Sequence, residues 1–212
     1  MLPTSRNILC NTARRLAPKR RTTPQRSTIS TVEAGTAYEN TVIGIFRRLG
    51  ATLERVGGAS DRGIDFRGNW HLPNKPPFYV VGQCKNYERK KIGPSVIREW
   101  EGVMARQEVD TLGIVAATSG FTRSGIDAAL SSRFPVALAT IDWRDMTTDP
   151  PMSAPASVFK GAVRGFVWNR AADAFIGRMM VAKKHYDVRV HDLEDPAEFT
   201  IQLLWDGQPL VM

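Results

Sequence analysis

The sequence has few residues of the types that build disulfides and cysteine or histidine metal sites. Its 212 residues include two cysteines and three histidines. Cys10 lies in an N-terminal segment that we expect to be removed, so Cys84 is left without a partner for an internal disulfide, and a four-cysteine zinc site is excluded. The three histidines also lack the close spacings of metal or catalytic motifs, and we assign them no role. They are His71, His185 and His191.

Long apolar runs and early acidic residues are absent as well. No stretch approaches a length of about 18 consecutive apolar residues, which a membrane-spanning helix needs. A secretory signal would have an apolar run after the first basic residues, and the sequence has no such run. The first acidic residue is Glu33, after a stretch rich in Arg, Ser and Thr. This composition is typical of an organellar transit peptide, so residues 1–33 are predicted to be a mitochondrial presequence and the product a matrix protein. The alternative is a basic tail that binds nucleic acid or keeps the chain in solution.

The basic character of the chain comes mostly from this same segment. The formal net charge is +8, from 29 basic and 21 acidic residues. Residues 1–35 contain seven of the basic residues and one of the acidic ones, so 22 basic and 20 acidic residues remain beyond them. Contacts to a nucleic acid would therefore have to come from local basic clusters and not from overall charge.

Beyond residue 33, helical and strand patterns alternate. This order predicts an α/β fold in which an antiparallel hairpin adjoins parallel strands with right-handed crossovers. Prolines at 150, 151 and 155 separate residues 34–145 from a C-terminal extension at 146–212, which either packs on the main sheet or makes an oligomer contact, such as that of a homodimer. Helices are predicted over 36–49, 94–107, 122–132 and 170–182, strands over 51–56, 63–69, 78–85, 112–118, 135–141, 165–168 and 186–190, and further core at Ile201, Leu203, Leu204 and Trp205.

Two of the predicted strands carry polar residues. Asp65 lies in the first, and in the second Gln83 and Lys85 share one face because side chains alternate along a strand. A carboxylate facing an amide oxygen and an ammonium is a minimal apparatus for holding a divalent cation beside a polarised water. Taken one at a time, these residues have equally good structural interpretations: Asp65 as an acceptor of hydrogen bonds from the preceding turn, and Gln83 as a partner for a buried backbone group.

These segments resemble the PD-(D/E)XK superfamily, and within it the Mrr-like branch. The carrying residues are the run 57–66 with Asp65, and Gly82-Gln83-Cys84-Lys85, in which glutamine occupies the usual acidic position. Tyr38-Glu39 is similar to the helix glutamate of that branch, and residues 118–122 to its segment after the fourth strand. The chain also resembles a fungal mitochondrial family named for being required for respiratory growth. The resemblance implies a restriction-endonuclease-like mixed sheet flanked by helices, with a small α+β extension.

The same resemblance implies a nuclease site. Glu39, Asp65, Gln83 and Lys85 would be its catalytic residues, and Mg²⁺ or Mn²⁺ would be held by Asp65, Gln83, the backbone carbonyl of Cys84 and Glu39. Because Gln83 carries one negative charge fewer than a carboxylate, weaker metal binding is expected unless Glu39 compensates.

The implied partner is a nucleic acid, with DNA favoured through the resemblance. No base-reading module is visible, so sequence specificity is not expected from this chain. Two alternatives stay open: a nucleic-acid-binding protein that has lost cleavage, and a mitochondrial assembly factor. Candidate phosphate or base contacts are Arg62, Arg67, Tyr87, Arg89, Lys90 and Lys91, and further candidates for phosphate contacts are Arg47 and Arg48.

Overall fold

A computed structural model describes residues 30–56, 62–87, 89–142, 162–184 and 200–210. Several sequence predictions lie outside these ranges. They are the presequence apart from its last four residues, the glycine turn at 57–61, the proline-rich boundary at 150–155 and the strand at 186–190. None of the helices in the described ranges is long and apolar enough to cross a membrane.

The first helix, α1, spans Thr31–Arg48 and begins five residues before its predicted start. A capping box explains the earlier start: the Ser30 hydroxyl accepts a hydrogen bond from the Glu33 amide at 3.2 Å, and the Glu33 carboxylate accepts one from the Ser30 amide at 2.9 Å. These bonds satisfy N–H groups that the first turn leaves without helical partners. The helix therefore begins within residues 1–33.

Six strands form the main sheet, in the spatial order β1-β2-β3-β4-β5-β6. β1, β2 and β3 are antiparallel neighbours, β3, β4 and β5 run parallel, and β6 returns antiparallel to β5. The predicted α/β class, with a hairpin beside parallel strands, is confirmed. The strands are Ala51–Arg55, Phe66–Trp70, Phe78–Lys85, Thr111–Ala117, Val136–Asp142 and Ala162–Trp168.

Helices cover both faces of this sheet. On one face α1 packs with Phe46 against Phe66 and Trp70. On the other, α2 (Pro94–Met104) and α3 (Arg123–Leu130) cover β3, β4 and β5, with Trp100 at the centre. Pro94 occupies the first turn of α2 and Thr122 caps α3, as the sequence indicates. α2 and α3 pack against the β3–β5 part of the sheet, and much of the β1–β2 hairpin on that face is solvent-exposed.

The C-terminal extension packs on the main sheet. β6 is itself the sixth strand, and the Trp205 indole donates a hydrogen bond to the Pro73 carbonyl at 2.9 Å. The helix predicted over 170–182 is confirmed only in its first part: a 3-10 helix at Arg170–Ala172 leads into α4, Asp173–Ile176, and the second part is wrong because the chain continues from Gly177 into β7, Met179–Lys184. Pairing of β7 with β8 (Thr200–Trp205), which is joined to β9 (Gln208–Pro209), overrides the local helical pattern.

Candidate active site

Asp65 lies at the point where the ladder between β2 and β3 ends. The last paired residues are Phe66 and Gly82, so Asp65 precedes β2 and does not lie within it, which corrects the predicted strand over 63–69. Its backbone N–H donates to the Gly82 carbonyl at 2.8 Å, and its carboxylate oxygen Oδ2 accepts from the Cys84 amide at 2.6 Å. The carboxylate thus takes the place of a backbone acceptor, and the two strands part beyond it. We call this opening the fork.

The carbonyl of Cys84 is directed at the same fork. In a strand, the N–H and C=O of one residue point to the same edge. The Cys84 N–H points to Asp65, whereas the Lys85 carbonyl accepts from the Thr118 amide at 3.2 Å on the β4 side. A backbone oxygen therefore stands beside the Asp65 carboxylate.

Gln83 adds a buried side-chain oxygen to this region. Its Nε2 donates to the Gly63 carbonyl at 3.1 Å, which identifies the donor end of the amide. Its Oε1 is buried and has no hydrogen-bond partner in the part of the chain that the structure describes. A buried amide oxygen left in this state costs about 1–3 kcal/mol, so a ligand that supplies positive charge there would be stabilising. Gly63, at φ 83°, brings its carbonyl to this position in a backbone conformation that suits glycine.

Lys85 lies two residues further along β3, on the face that carries Gln83. Val81 on this face belongs to the core under α2, so Gln83 and Lys85 lie on the α2 side of the sheet. Lys85 is partly buried, and within the described residues it forms no ion pair. Its ammonium is therefore not neutralised by an acidic side chain there.

Glu39 is placed differently from the other three predicted residues. Its carboxylate accepts a short hydrogen bond from the Arg55 guanidinium, and Arg55 ends β1 on the α1 side of the sheet. Asp65, Gln83 and Lys85 come together at the fork, whereas Glu39 lies across the sheet from the Gln83 side chain. The Glu39 side chain is largely buried, with 16% of it exposed, whereas 37% of the Arg55 side chain is exposed.

The Cys84 thiol lies within electrostatic range of the charged groups on both sides of the sheet. Burial raises the pKa of this thiol well above its usual range, and the carboxylates of Asp65 and Glu39 raise it further. Lys85 and Arg55 act in the opposite direction on the same pKa. Cys84 packs on the α1 core, between the fork and Glu39, and its thiol is held neutral there.

Asn86 is a residue of this region that the sequence analysis missed. Its Nδ2 donates to the Ala34 carbonyl in α1 at 3.2 Å, and its Oδ1 is buried with no hydrogen-bond partner. Asn86 follows Lys85 directly and shares the α1 face with Cys84 by strand alternation. That alternation was the available signal, since it places a second amide at the end of the same strand.

The predicted nucleic-acid contacts fall into two groups. Tyr87, Arg89, Lys90 and Lys91 are exposed on the loop after β3, and this loop is anchored because the Thr118 and Ser119 hydroxyls donate to its carbonyls. Arg62 and Arg67 lie apart from it, on the β1–β2 side of the fork. The expectation for Arg47 is weakened: its guanidinium donates to the Leu53 carbonyl at 2.6 and 3.2 Å and so joins α1 to β1.

The donors at the fork fit a small divalent cation. Such ions take oxygen ligands, and the fork offers the Asp65 carboxylate, the bare Gln83 oxygen and the Cys84 carbonyl. In the described ranges, no group of three or more His, Cys, Asp or Glu side chains is arranged for a metal ion. The site therefore depends on amide and backbone oxygens together with one carboxylate, and its negative charge is low.

The chain is similar to known proteins over about half of its length. Residues 32–142, just over half of the chain, match a restriction endonuclease family of the Mrr catalytic type. The chain is 38% identical over 117 residues to an uncharacterized mitochondrial protein of Schizosaccharomyces pombe, a match that covers 54% of this chain and 47% of that protein. This chain thus spans about half the length of that relative. Among solved structures, the MspJI restriction endonuclease in complex with a 27-mer oligonucleotide matches at 22% identity with a TM-score of 0.39, over 50% of this chain and 24% of that one. Because that family match covers more than half of the chain, the chain belongs to the Mrr-type restriction endonuclease family.

Proposed function

We propose that this chain is a divalent-metal-dependent nuclease that hydrolyses phosphodiester bonds, with DNA as substrate. The observation that carries the proposal is the Oε1 of Gln83, which is buried and has no hydrogen-bond partner among the described residues, while the amide of the next residue, Cys84, binds the Asp65 carboxylate. A structural glutamine would have its oxygen paired. A buried oxygen without a donor is suited to a cation, which would supply the missing positive charge.

Asp65, Gln83 and the Cys84 carbonyl would hold Mg²⁺ or Mn²⁺. When bound, such an ion supplies a Lewis acid for the oxygens of the scissile phosphate. The chain contributes the shape of the site: the Cys84 amide fixes the Asp65 carboxylate, and the Gly63 carbonyl fixes the Gln83 amide. Both ligands are therefore oriented before any substrate arrives, which lowers the reorganisation cost of the reaction.

Lys85 is the chain's own source of positive charge at the fork. Its ammonium would orient the attacking water and offset the negative charge that develops on the phosphate in the transition state. Its lack of an ion pair within the described residues leaves it available for both tasks. Glu39 is held by Arg55 and would act on a second ion or its water after that ion pair opens.

A mitochondrial site of action is part of the proposal. The acid-free, Arg-rich segment before Glu33 is typical of a transit peptide, and the S. pombe relative is named as mitochondrial. The matrix location rests on the transit-peptide composition. A role in mitochondrial genome maintenance and respiratory growth is what the resemblance to the fungal family implies. Import of a fusion of residues 1–35 to a fluorescent protein into isolated mitochondria tests the targeting part alone.

The activity itself is tested by nicking of supercoiled DNA. We expect the purified chain to convert supercoiled plasmid to the open-circle form with Mg²⁺ or Mn²⁺ and to leave it intact in EDTA. DNA that is bound equally with metal and with EDTA, and that stays supercoiled in both, would count against the nuclease and support the second function below.

A non-cleaving nucleic-acid-binding protein is the second candidate function. It is favoured by two observations: neutral Gln83 occupies the usual acidic position, and Arg55 engages Glu39. Both lower the negative charge available to a cation. The assembly factor left open by the sequence would show neither nicking nor retention of DNA.

Replacing Gln83 with glutamate should make the stability of the protein depend on divalent cations. In the absence of metal the new carboxylate would face the Gly63 carbonyl, which now accepts a hydrogen bond from Gln83 Nε2, and we expect a loss of about 1–3 kcal/mol. Millimolar Mg²⁺ should restore much of this loss, because the added negative charge binds the cation. Thermal melting with Mg²⁺ and with EDTA measures both effects. Equal melting temperatures in the two conditions would show that no cation binds at Gln83.

A further inference from the structure

A cleft of about 400 Å³ opens on the α2 side of the sheet, next to the fork. Its apolar wall is formed by Val56, Ile64 and Val103, and three arginines stand around it: Arg62, Arg67 and Arg106. Two of these arginines were predicted nucleic-acid contacts, whereas Arg106 follows α2 and had no predicted role. We call this feature the arginine cleft.

The arginine cleft and the fork share a wall. Gly63 lies between them: its carbonyl accepts from Gln83 Nε2 at 3.1 Å, and a side chain at this position would meet Val103 at 3.3 Å and Gln83 at 3.4 Å. Arg62 and Ile64, the neighbours of Gly63 in the chain, both line the cleft. A strand whose scissile phosphate sits at Gln83 therefore has the arginine cleft within reach on the same face of the sheet.

The charges in the cleft favour a polyanion. Arg62 and Arg106 are exposed, and within the described residues neither forms an ion pair. Arg67 donates to Glu54 at 2.8 Å, with 48% and 65% of the two side chains exposed. An ion pair this exposed contributes little, so a phosphate group can displace Glu54 from Arg67.

We propose that the arginine cleft binds the phosphodiester backbone of the DNA strand that enters the fork, with Arg62, Arg67 and Arg106 as its phosphate contacts. Guanidinium groups match phosphate oxygens in a bidentate geometry, and apolar walls between them suit the sugar edges. Because these contacts carry no base information, the cleft positions the strand without selecting a sequence. Glu54 acts against binding by competing for Arg67. The inference rests on the proposed function, because the nuclease site at the fork is where the bound strand is taken to lead. Its test measures binding and does not need cleavage.

The test measures binding of labelled duplex DNA by fluorescence anisotropy in EDTA. Arg106→Gln should weaken binding several-fold, and Arg62→Gln, Arg67→Gln and Arg106→Gln together should weaken it by on the order of tenfold or more, with a salt slope lower by about two to three. Arg170→Gln is the matched control, because Arg170 is exposed beside the N-terminal end of β5, away from the fork. Glu54→Gln should tighten binding more than Glu108→Gln, which makes the same charge change at an exposed site outside the cleft.

The inference is overturned if the triple variant and Arg170→Gln bind DNA with equal affinity. It is also overturned if the wild-type chain binds no DNA. An RNA duplex of the same sequence serves as a second arm, and a loss of affinity confined to RNA would overturn the assignment to DNA. The two proposals fail separately. If the wild-type chain does not nick DNA but the triple variant binds DNA more weakly, the nuclease proposal fails and the arginine cleft stands. If the wild-type chain nicks DNA but the triple variant binds it equally well, the nuclease proposal stands and the arginine cleft fails.

Discussion

Asp65→Asn should reduce metal-dependent nicking by at least about 10²–10³-fold, and Lys85→Met should do the same. The asparagine keeps an oxygen that can accept from the Cys84 amide, so the end of the β2–β3 ladder should survive while the negative charge of the Asp65 carboxylate is lost. The methionine keeps most of the Lys85 stem and removes the ammonium. Single-turnover nicking at saturating protein isolates the chemical step from DNA binding.

Lys91→Met is the control for the lysine substitution. Lys91 is exposed on the loop after β3, so its loss should weaken DNA binding and leave the single-turnover rate at saturation close to that of the wild type. Thermal melting of each variant shows whether the fold is kept. Full nicking by Asp65→Asn at an unchanged melting temperature would place the reacting centre elsewhere in the chain.

Strand alternation predicted the central part of this site, because it depends on one segment alone. The predicted and observed bounds of β3 agree, from Phe78 to Lys85, and with them the shared face of Gln83 and Lys85. Asp65 lies outside the strand because β2 begins at Phe66, three residues later than predicted, and the Asp65 carboxylate replaces the next backbone acceptor. That replacement involves residues 19 positions apart, so no local pattern could reveal it.

Glu39 shows the limit of reading a site from sequence. Helical spacing placed it beside the buried stripe of α1, which is where it lies, but its partner Arg55 is 16 residues away on another element. The ion pair is decided by how α1 crosses β1, a tertiary property. The same holds for Arg106, whose place in the arginine cleft follows from the packing of α2 against Gly63.

Charge counts were similarly uninformative until the fold was known. The chain beyond position 35 is nearly neutral, with 22 basic and 20 acidic residues. The fold separates these charges: Arg62, Arg67 and Arg106 surround one cleft, and Arg89, Lys90 and Lys91 share an exposed loop. Local concentration of positive charge near the fork, and not the total, is what would attract a phosphate backbone.

Gly82→Ala should be the most destabilising single-methyl change in β3. Gly82 pairs with Phe66 across the β2–β3 ladder, and a Cβ at this position would overlap the Phe66 ring. The ring is fully buried and stacks on Phe46 at 6.2 Å, so it has no free space into which to move. Overpacking of this kind costs about 1–3 kcal/mol, and we expect a value near the top of that range. The melting temperature should fall by roughly 6–12 °C.

The effect of Gly82→Ala can be traced to this contact by a double-mutant cycle. Phe66→Leu alone should destabilise the core, but in the Gly82→Ala background it should cost less or even stabilise, since the smaller side chain leaves room for the methyl group. We expect a favourable coupling of roughly 0.5–3 kcal/mol between the two sites.

Gly102→Ala is the matched control: Gly102 is exposed in α2 with no atom near its Cβ position, so the same change should stabilise by about 0.5–1 kcal/mol. If the two effects simply add, with no coupling, the strain does not fall on the Phe66 ring and falls instead on the backbone of the fork. Because Gly82 immediately precedes Gln83, the nicking activity should in that case decrease together with the stability.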